Sequence, residues 1–264
     1  MRHDFPRLCA VSLAVLTACV PLGAHSQGAP EDRGLVLWLK ADAGLATDGS
    51  VWADQSSRAN DFVALPGQAP TYVADGLNGL PVARFSGHQV LSMTDHFVKS
   101  QQFTIMAVAT DTSSSNLGGW REIISNWSPH DGEQSIFLGT VWSTVHGERV
   151  DRIRFTDDIG GGFQGQGGQG RIPDPATAFI LTGNSGAADA CIYLGLKKEY
   201  CLGAPLSTRD LTHAWTIGRQ GAKFNSEYWI GDIAEVLVYN RALTTAQRNA
   251  NITYLAGKWG VALQ

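Results

Sequence analysis

The sequence predicts an all-β domain, a sandwich or a barrel, closed by one C-terminal helix. Three observations lead there. Short runs rich in β-branched and aromatic residues recur at regular spacing, with Gly, Asn and Asp turns between them. No long helical periodicity appears before Thr245. The chain has 264 residues, 44% of them hydrophobic and 30 of them glycine, which suffices for one well-cored all-β domain.

The first segment lies outside that domain. Arg2 and Arg7 precede or open the apolar run Leu8 to Val20, and small residues follow, which is the layout of a secretory signal over residues 1–26. The run is too short to span a bilayer as a stable helix. Two processing routes fit. Ala24-His25-Ser26 offers small residues for signal peptidase and a mature start at Gln27, whereas Leu16-Thr17-Ala18-Cys19 resembles a bacterial lipobox that would lipidate Cys19. Either route exports the chain, to the periplasm, the outer membrane by a lipid anchor, or the exterior. Removing Arg2, Arg7 and Asp4 moves the formal net charge from -4 to -5, and a mildly acidic surface argues against a nucleic-acid partner.

Residues 27–33 read as a polar linker, and 34–264 as the folded domain. Leu35 to Lys40 is a near-continuous apolar strand, suited to burial on both sides. Pro70-Thr71-Tyr72-Val73, Pro81 to Gly87, Val90 to Met93, Phe103 to Thr110 and Glu122 to Trp127 continue the strand rhythm, followed by Ser135 to Gly139, Arg152 to Thr156, Ala178 to Thr182 and Ala214 to Gly218. Gly160 to Gly170 is a glycine-rich loop without the Gly-Lys-Ser/Thr ending of a phosphate loop. Gly183-Asn184-Ser185-Gly186 reads as a turn between strands, with no partnering His motif that would make it a nucleophile.

Cys191 and Cys201 are the only cysteines left in a soluble, processed chain. The nine residues between them read as a hairpin turning near Leu196, and antiparallel pairing about that centre sets 191 opposite 201. An exported compartment permits the disulfide, which contributes about 2 to 3 kcal/mol in the chain-entropy account.

The closing stretch is the most specific. A strand from about Tyr228 to Tyr239 is interrupted at Gly231, where a bulge or close backbone approach is expected. Thr244 with Gln247 is a capping-box pattern, and Ile252, Leu255 and Trp259 fall on one face of the helix that follows.

Leu37-Trp38-Leu39-Lys40-Ala41-Asp42, Val51-Trp52-Ala53-Asp54-Gln55-Ser56 and Pro81 to Gly87 resemble the N-terminal half of bacterial LamG-like domains, members of the concanavalin A-like lectin/glucanase superfamily. Gly231 to Leu243, Tyr254-Leu255 and Lys258-Trp259-Gly260 resemble that family's C-terminal signature. The resemblance frames the chain from about Leu35 to Val261. It implies a two-sheet antiparallel jelly-roll sandwich with the short C-terminal helix. It does not imply one activity, because this fold hosts lectins, glycosidases, lyases and adhesion modules.

Retaining glycosidases of this fold carry a Glu-x-Asp-x-x-Glu pattern on one strand. Here it falls on Ile230, Asp232 and Glu235, so an aliphatic side chain occupies the nucleophile position, and retaining hydrolysis needs two carboxyls. Without a bulge Asp232 and Glu235 would also point to opposite faces. No catalytic residues are assigned. His88, His96, His130, His146 and His213 are scattered without metal-ligand spacing.

For ligand binding, Trp120, Trp127, His130, Asp131 and Trp142 combine flat aromatics with hydrogen-bonding groups, as sugar recognition requires. The competing reading packs these tryptophans in the core, and Trp38, Trp52, Trp229 and Trp259 read as structural. Asp54, Asn60 and Asp61 offer oxygens to a calcium ion, though an Asn-Asp turn capped by its own backbone accounts for them equally well; no other cofactor is indicated. The reading that results is a non-catalytic carbohydrate-binding or cell-surface adhesion domain, whose partner is a glycan or a cell-surface protein. A polysaccharide-degrading enzyme, glycosidase or lyase, with an unrecognised site, or a purely structural envelope protein, is the alternative.

Overall fold

The computed structural model describes residues 1, 30–95, 97–98, 100–113, 119–126, 135–143, 147–157, 162–164, 171–173, 177–204, 206, 214–221 and 226–263, with backbone alone at 135, 151–157 and 162–164. Residues 2–26 of the stretch read as a signal, with both expected processing routes including Cys19, residues 27–29, residues 160–161 and 165–170 of the glycine-rich run, and Trp127, His130 and Asp131 lie outside the described residues. Among the described residues no helix is long and apolar enough to cross a membrane.

Two antiparallel sheets of eight strands face each other. The elements in chain order are β1 (Leu35–Lys40), α1 (Ala41–Gly44), β2 (Val51–Trp52), β3 (Phe62–Ala64), β4 (Thr71–Leu77), β5 (Leu80–Ser86), β6 (Leu91–Met93), β7 (Phe103–Ala109), β8 (Trp120–Ser125) and β9 (Ser135–Ser143). Then come β10 (Glu148–Asp157), β11 (Gly162–Gln164), β12 (Phe179–Ser185), β13 (Ala190–Leu194), β14 (Lys197–Cys201), β15 (Trp215–Ile217), β16 (Ile230–Tyr239) and α2 (Thr245–Trp259). The first sheet runs β14-β13-β12-β7-β16-β5-β4 with β1 beside β16, and the second runs β11-β10-β9-β8-β15-β6-β3-β2. The expected sandwich of two sheets with a short closing helix is what forms.

Two hydrophobic layers explain the strand sequences. Leu37, Leu39, Ile105, Ala107, Val236 and Val238 point between the sheets, with Trp52, Trp215 and Trp229 in the same layer. Met106, Val108, Leu237 and Tyr239 point the other way and pack under Ile252, Leu255 and Trp259 of α2. β7, Phe-Thr-Ile-Met-Ala-Val-Ala, is therefore buried at every position, because both of its faces are covered. Each large side chain so buried contributes about 1.5–3 kcal/mol.

The helix begins and ends where its sequence dictates. Gln247 donates its backbone N–H to the Thr244 hydroxyl, and the Gln247 side chain accepts from the Thr244 backbone, so the capping box is complete. Gly260 closes the other end in the left-handed conformation at φ 67°. The expectation at Gly231 is also met: its φ is 143°, and a Cβ there would lie 1.9 Å from the Thr110 carbonyl oxygen.

Cys191 and Cys201 pair across the β13–β14 hairpin and form the disulfide. Four sequence readings are corrected. Gly162–Gln164, inside the run read as a glycine-rich loop, forms β11 against β10. Gly183, Asn184 and Ser185 belong to β12, paired with β7 and β13, so the turn begins only at Gly186. The strand read as ending at Gly139 continues to Ser143, which carries Trp142 into β9 rather than a loop, and Trp120 likewise opens β8. Strand character persists there because cross-strand partners complete the ladder. Part of the polar stretch before Gly34 is docked: Glu31 donates its N–H to Asn251 Oδ1 at 2.9 Å, and Arg241 Nε donates to the Arg33 carbonyl at 2.7 Å.

Candidate functional site

The carboxylates of the glycosidase-like pattern come first. In the β16–β7 ladder Ile233 pairs with Ala109 and Glu235 with Val108, so Ala234 is the extra residue of a bulge. The bulge brings Asp232 and Glu235 to the same outer face of the first sheet, but neither is open there. Asp232 is clamped by Arg84, which donates Nε and Nη2 at 2.7 and 2.9 Å. That hydrogen bonding holds the Arg84 guanidinium above its ordinary pKa.

Glu235 is 0% exposed and lies under α2. Its Oε1 accepts from Trp38 Nε1 at 2.6 Å and the Tyr254 hydroxyl at 3.1 Å. Its Oε2 accepts from Lys258 Nζ at 2.7 Å and Trp259 Nε1 at 2.8 Å. Lys258 also donates to Asp42 Oδ1 at 2.8 Å. With four donors a carboxylate's lone pairs are filled, and Glu235 serves as the anchor of the closing helix. Burial first, and then the Glu235 charge, push the Tyr254 phenol well above the usual tyrosine range.

The Asp54 loop is saturated in the same manner. Trp38 N–H and Ser56 N–H donate to Asp54 Oδ1 at 2.8 and 2.9 Å, while Ser56 Oγ and Asn60 N–H donate to Oδ2 at 2.6 and 2.9 Å. Asp61 accepts from Asp54 N–H at 2.8 Å, and Asn60 Nδ2 donates to the Val36 carbonyl at 2.7 Å. Both Asp54 oxygens are thus taken by N–H and O–H donors, and the arrangement ties the 54–61 loop to β1. Among the described residues, one acidic and sulfur group of metal-ligand size is Asp189 with Cys191 and Cys201, whose sulfurs are joined to each other.

The two described members of the remaining candidates, Trp120 and Trp142, lie at one end of the second sheet, where β8, β9 and β10 run side by side. Trp120 pairs with Val141, Arg121 with Thr140, and Trp142 with Arg149. Directly paired residues share a face and successive ones alternate. Trp120 and Trp142 therefore stand on opposite faces of the sheet. Trp120 turns outward and meets the Phe137 ring edge-on at 5.6 Å. Trp142 shares the inner face with Arg121, Thr140 and Arg149, at the mouth of the sandwich, and is half-buried.

That mouth is strongly polar. Asp111, just past β7 on the opposite sheet, accepts from Ser113 N–H at 2.9 Å and Thr140 Oγ1 at 2.7 Å, and its Oδ2 is 3.9 Å from Arg149 Nε. Arg149 donates Nε to Ser113 Oγ at 3.0 Å and Nη1 to the Gly119 carbonyl at 2.6 Å. Arg121 donates Nη1 to the Trp120 carbonyl at 2.7 Å. Burial pushes both guanidiniums below their ordinary pKa, Asp111 offsets part of this, and the Arg121 charge adds to the effect on Arg149. Sequence reading selected Trp120 and Trp142, with Arg121 in the same candidate segment, and passed over Arg149 and Asp111. The one available signal was their position at the ends of runs of alternating polarity.

No protein-family model matches the chain, and no curated protein matches it either. Solved structures do share its fold. Domain 4 of AbnA, a GH43 extracellular arabinanase from Geobacillus stearothermophilus, solved in complex with arabinotriose, superposes with a TM-score of 0.60 at 15% identity, over 83% of this chain and 98% of that one. Trypanosoma rangeli sialidase in complex with sialic acid gives 0.56 at 13% identity over 89% of this chain, which spans 35% of the sialidase. The binding domain of Paraclostridial Mosquitocidal Protein 1 gives 0.56 at 14% identity, over 84% of this chain and 52% of that one. At these identities the likeness speaks to the two-sheet β-sandwich fold and to no residue of the site.

Proposed function

We propose that the protein is an exported, non-catalytic, LamG-like module that binds carbohydrate at the mouth of the sandwich formed by β8, β9 and β10. The observation that carries this reading is Trp142: a half-buried indole beside Arg121, Thr140 and Arg149, on a rigid strand. An aromatic face bordered by fixed donors suits the apolar CH patches and hydroxyls of a sugar ring. The likeness to an arabinanase domain solved in complex with arabinotriose supports a carbohydrate role. Sealing of Glu235 under α2 and the aliphatic Ile230 favour binding over hydrolysis. Export follows, in this reading, from residues 1–26, with release at Gln27 or lipidation of Cys19. A cell-surface protein is the alternative ligand, and the likeness to the mosquitocidal protein's binding domain supports a binding role without choosing between the two.

The test is one polysaccharide panel read in two ways on the same sample. Calorimetry should give saturable binding to at least one glycan, while assays for reducing ends and unsaturated products stay at background. Turnover of any panel member overturns the non-catalytic reading, and absence of binding across the panel overturns the carbohydrate reading.

A further inference from the structure

We infer that α2 is clamped to the first sheet by a bound monatomic anion of the halide type, held between the Arg248 guanidinium and the Thr182 hydroxyl. The site lies on the outer face of that sheet and is independent of the carbohydrate reading. Strand register sets its floor. Met106 of β7, Thr182 of β12 and Tyr193 of β13 stand directly opposite one another and form one row across three strands. The helix covers both ends of the row. The Arg248 guanidinium lies 3.9 Å from the centre of the Tyr193 ring, and Asn251 Nδ2 donates to Met106 Sδ at 3.7 Å. Arg248 and Asn251 are three residues apart and share a helix face, so Thr182, the middle of the row, lies under the gap between them.

Two polar atoms bordering that gap, Arg248 Nε and Thr182 Oγ1, are buried and make no hydrogen bond. Thr182 is 0% exposed and Arg248 6%. The groups around them are occupied elsewhere. Asn251 Nδ2 also donates to the Tyr239 hydroxyl at 2.8 Å, Asn251 Oδ1 accepts from Glu31 N–H, and Arg248 Nη2 donates to Asn249 Oδ1 at 3.2 Å. Glu31 pairs with Arg241, and among the described residues no carboxylate pairs with Arg248. Burying a charge without a counter-charge is costly, and a guanidinium, unlike an ammonium, does not shed its proton to avoid that cost. Stacking on Tyr193 offsets only part of it. A water would satisfy both polar atoms and leave the charge unbalanced, whereas an anion accepts from the N–H and the O–H and supplies the opposite charge. With Met106 and Thr182 fully buried and Tyr193 nearly so, a monatomic ion suits the enclosure better than sulfate or phosphate.

The experiment compares thermal melts of the full chain in sodium chloride and in sodium gluconate at equal ionic strength. Chloride should raise the melting temperature saturably, by about 2–4 °C, and bromide should replace it. Arg248→Met keeps an apolar stem and removes the charge, so the chloride-specific rise should vanish. Thr182→Val removes the hydroxyl at nearly constant shape and should weaken the apparent chloride affinity about 10-fold. Should either variant fail to fold, crystals of the unaltered protein grown in bromide decide the matter: anomalous scattering should place one bromide between Thr182 Oγ1 and Arg248 Nε. Equal melting in chloride and gluconate, a chloride effect that survives Arg248→Met, or a water without bromide signal at that position overturns the inference.

Discussion

The polar cluster beneath α2 and the polar cluster at the mouth of the sandwich are made of similar groups and end in opposite conditions. Beneath the helix, Glu235 collects two indole N–H groups, a phenol and an ammonium, and nothing of it reaches solvent. At the mouth, Arg149 and Asp111 are buried but Arg121 and Trp142 remain half-open. The difference lies in the covering element. Amphipathic α2 closes the outer face of the first sheet over Glu235, whereas Trp142 stays half-buried at the β8–β10 end of the second sheet. A buried charge with every hydrogen bond satisfied is a structural device, while a half-buried indole on a strand still offers a face to a ligand.

Removing the centre of the closed cluster should have the largest effect. Glu235→Ala leaves Lys258 with Asp42 as its one carboxylate partner and takes the acceptor from both indoles, so stability in a denaturant melt should fall by about 3 kcal/mol. A loss below about 1 kcal/mol would show that apolar packing alone holds the helix. The same cluster predicts a pH dependence. Because the folded state raises the Tyr254 phenol above its unfolded value of about 10, its stabilisation is fully present below that pH and is lost as the solution becomes more alkaline. Tyr254→Phe should flatten the alkaline decline, as followed by phenolate absorbance and melting.

The disulfide at the far edge of the first sheet comes next. Replacing Cys191 and Cys201 together by serine should cost about 2–3 kcal/mol for a loop of this length, while glycan binding at the mouth persists, since β13 and β14 belong to the other sheet. Thr244→Ala removes the hydroxyl that caps α2 and should cost about 1 kcal/mol, read as a lower melting temperature with unchanged binding. A comparably small effect on stability is expected at the half-buried cluster: Trp142→Ala should change stability by only about 1 kcal/mol yet abolish measurable binding. A mutant that melts several kcal/mol lower and binds normally would place Trp142 with the core tryptophans and break the contrast.

Much of this architecture is legible along the chain because it depends on local pattern. The capping box at Thr244 and Gln247, the hairpin that sets Cys191 against Cys201, and the close backbone approach at Gly231 follow from residue type and spacing, and each appears as expected. The candidate site was legible only in part. Trp120 and Trp142 look alike in sequence, 22 positions apart and each beside polar residues. Their separation onto opposite faces depends on the register of β8 against β9, including the shift between Glu122 and Ile124. Nothing local encodes that shift.

By itself, then, the sequence determined the two-layer β framework, the helix that closes it and the bond that staples its edge, since hydrophobic period, capping and turn chemistry act over a few residues. Tertiary structure alone decided what the charges do. Whether Glu235 faces solvent or four donors, and whether Arg121 stands with Trp120 or with Trp142, depends on bulges, register and the element packed above. Those are set by the simultaneous burial of distant strands, which no window of the chain contains.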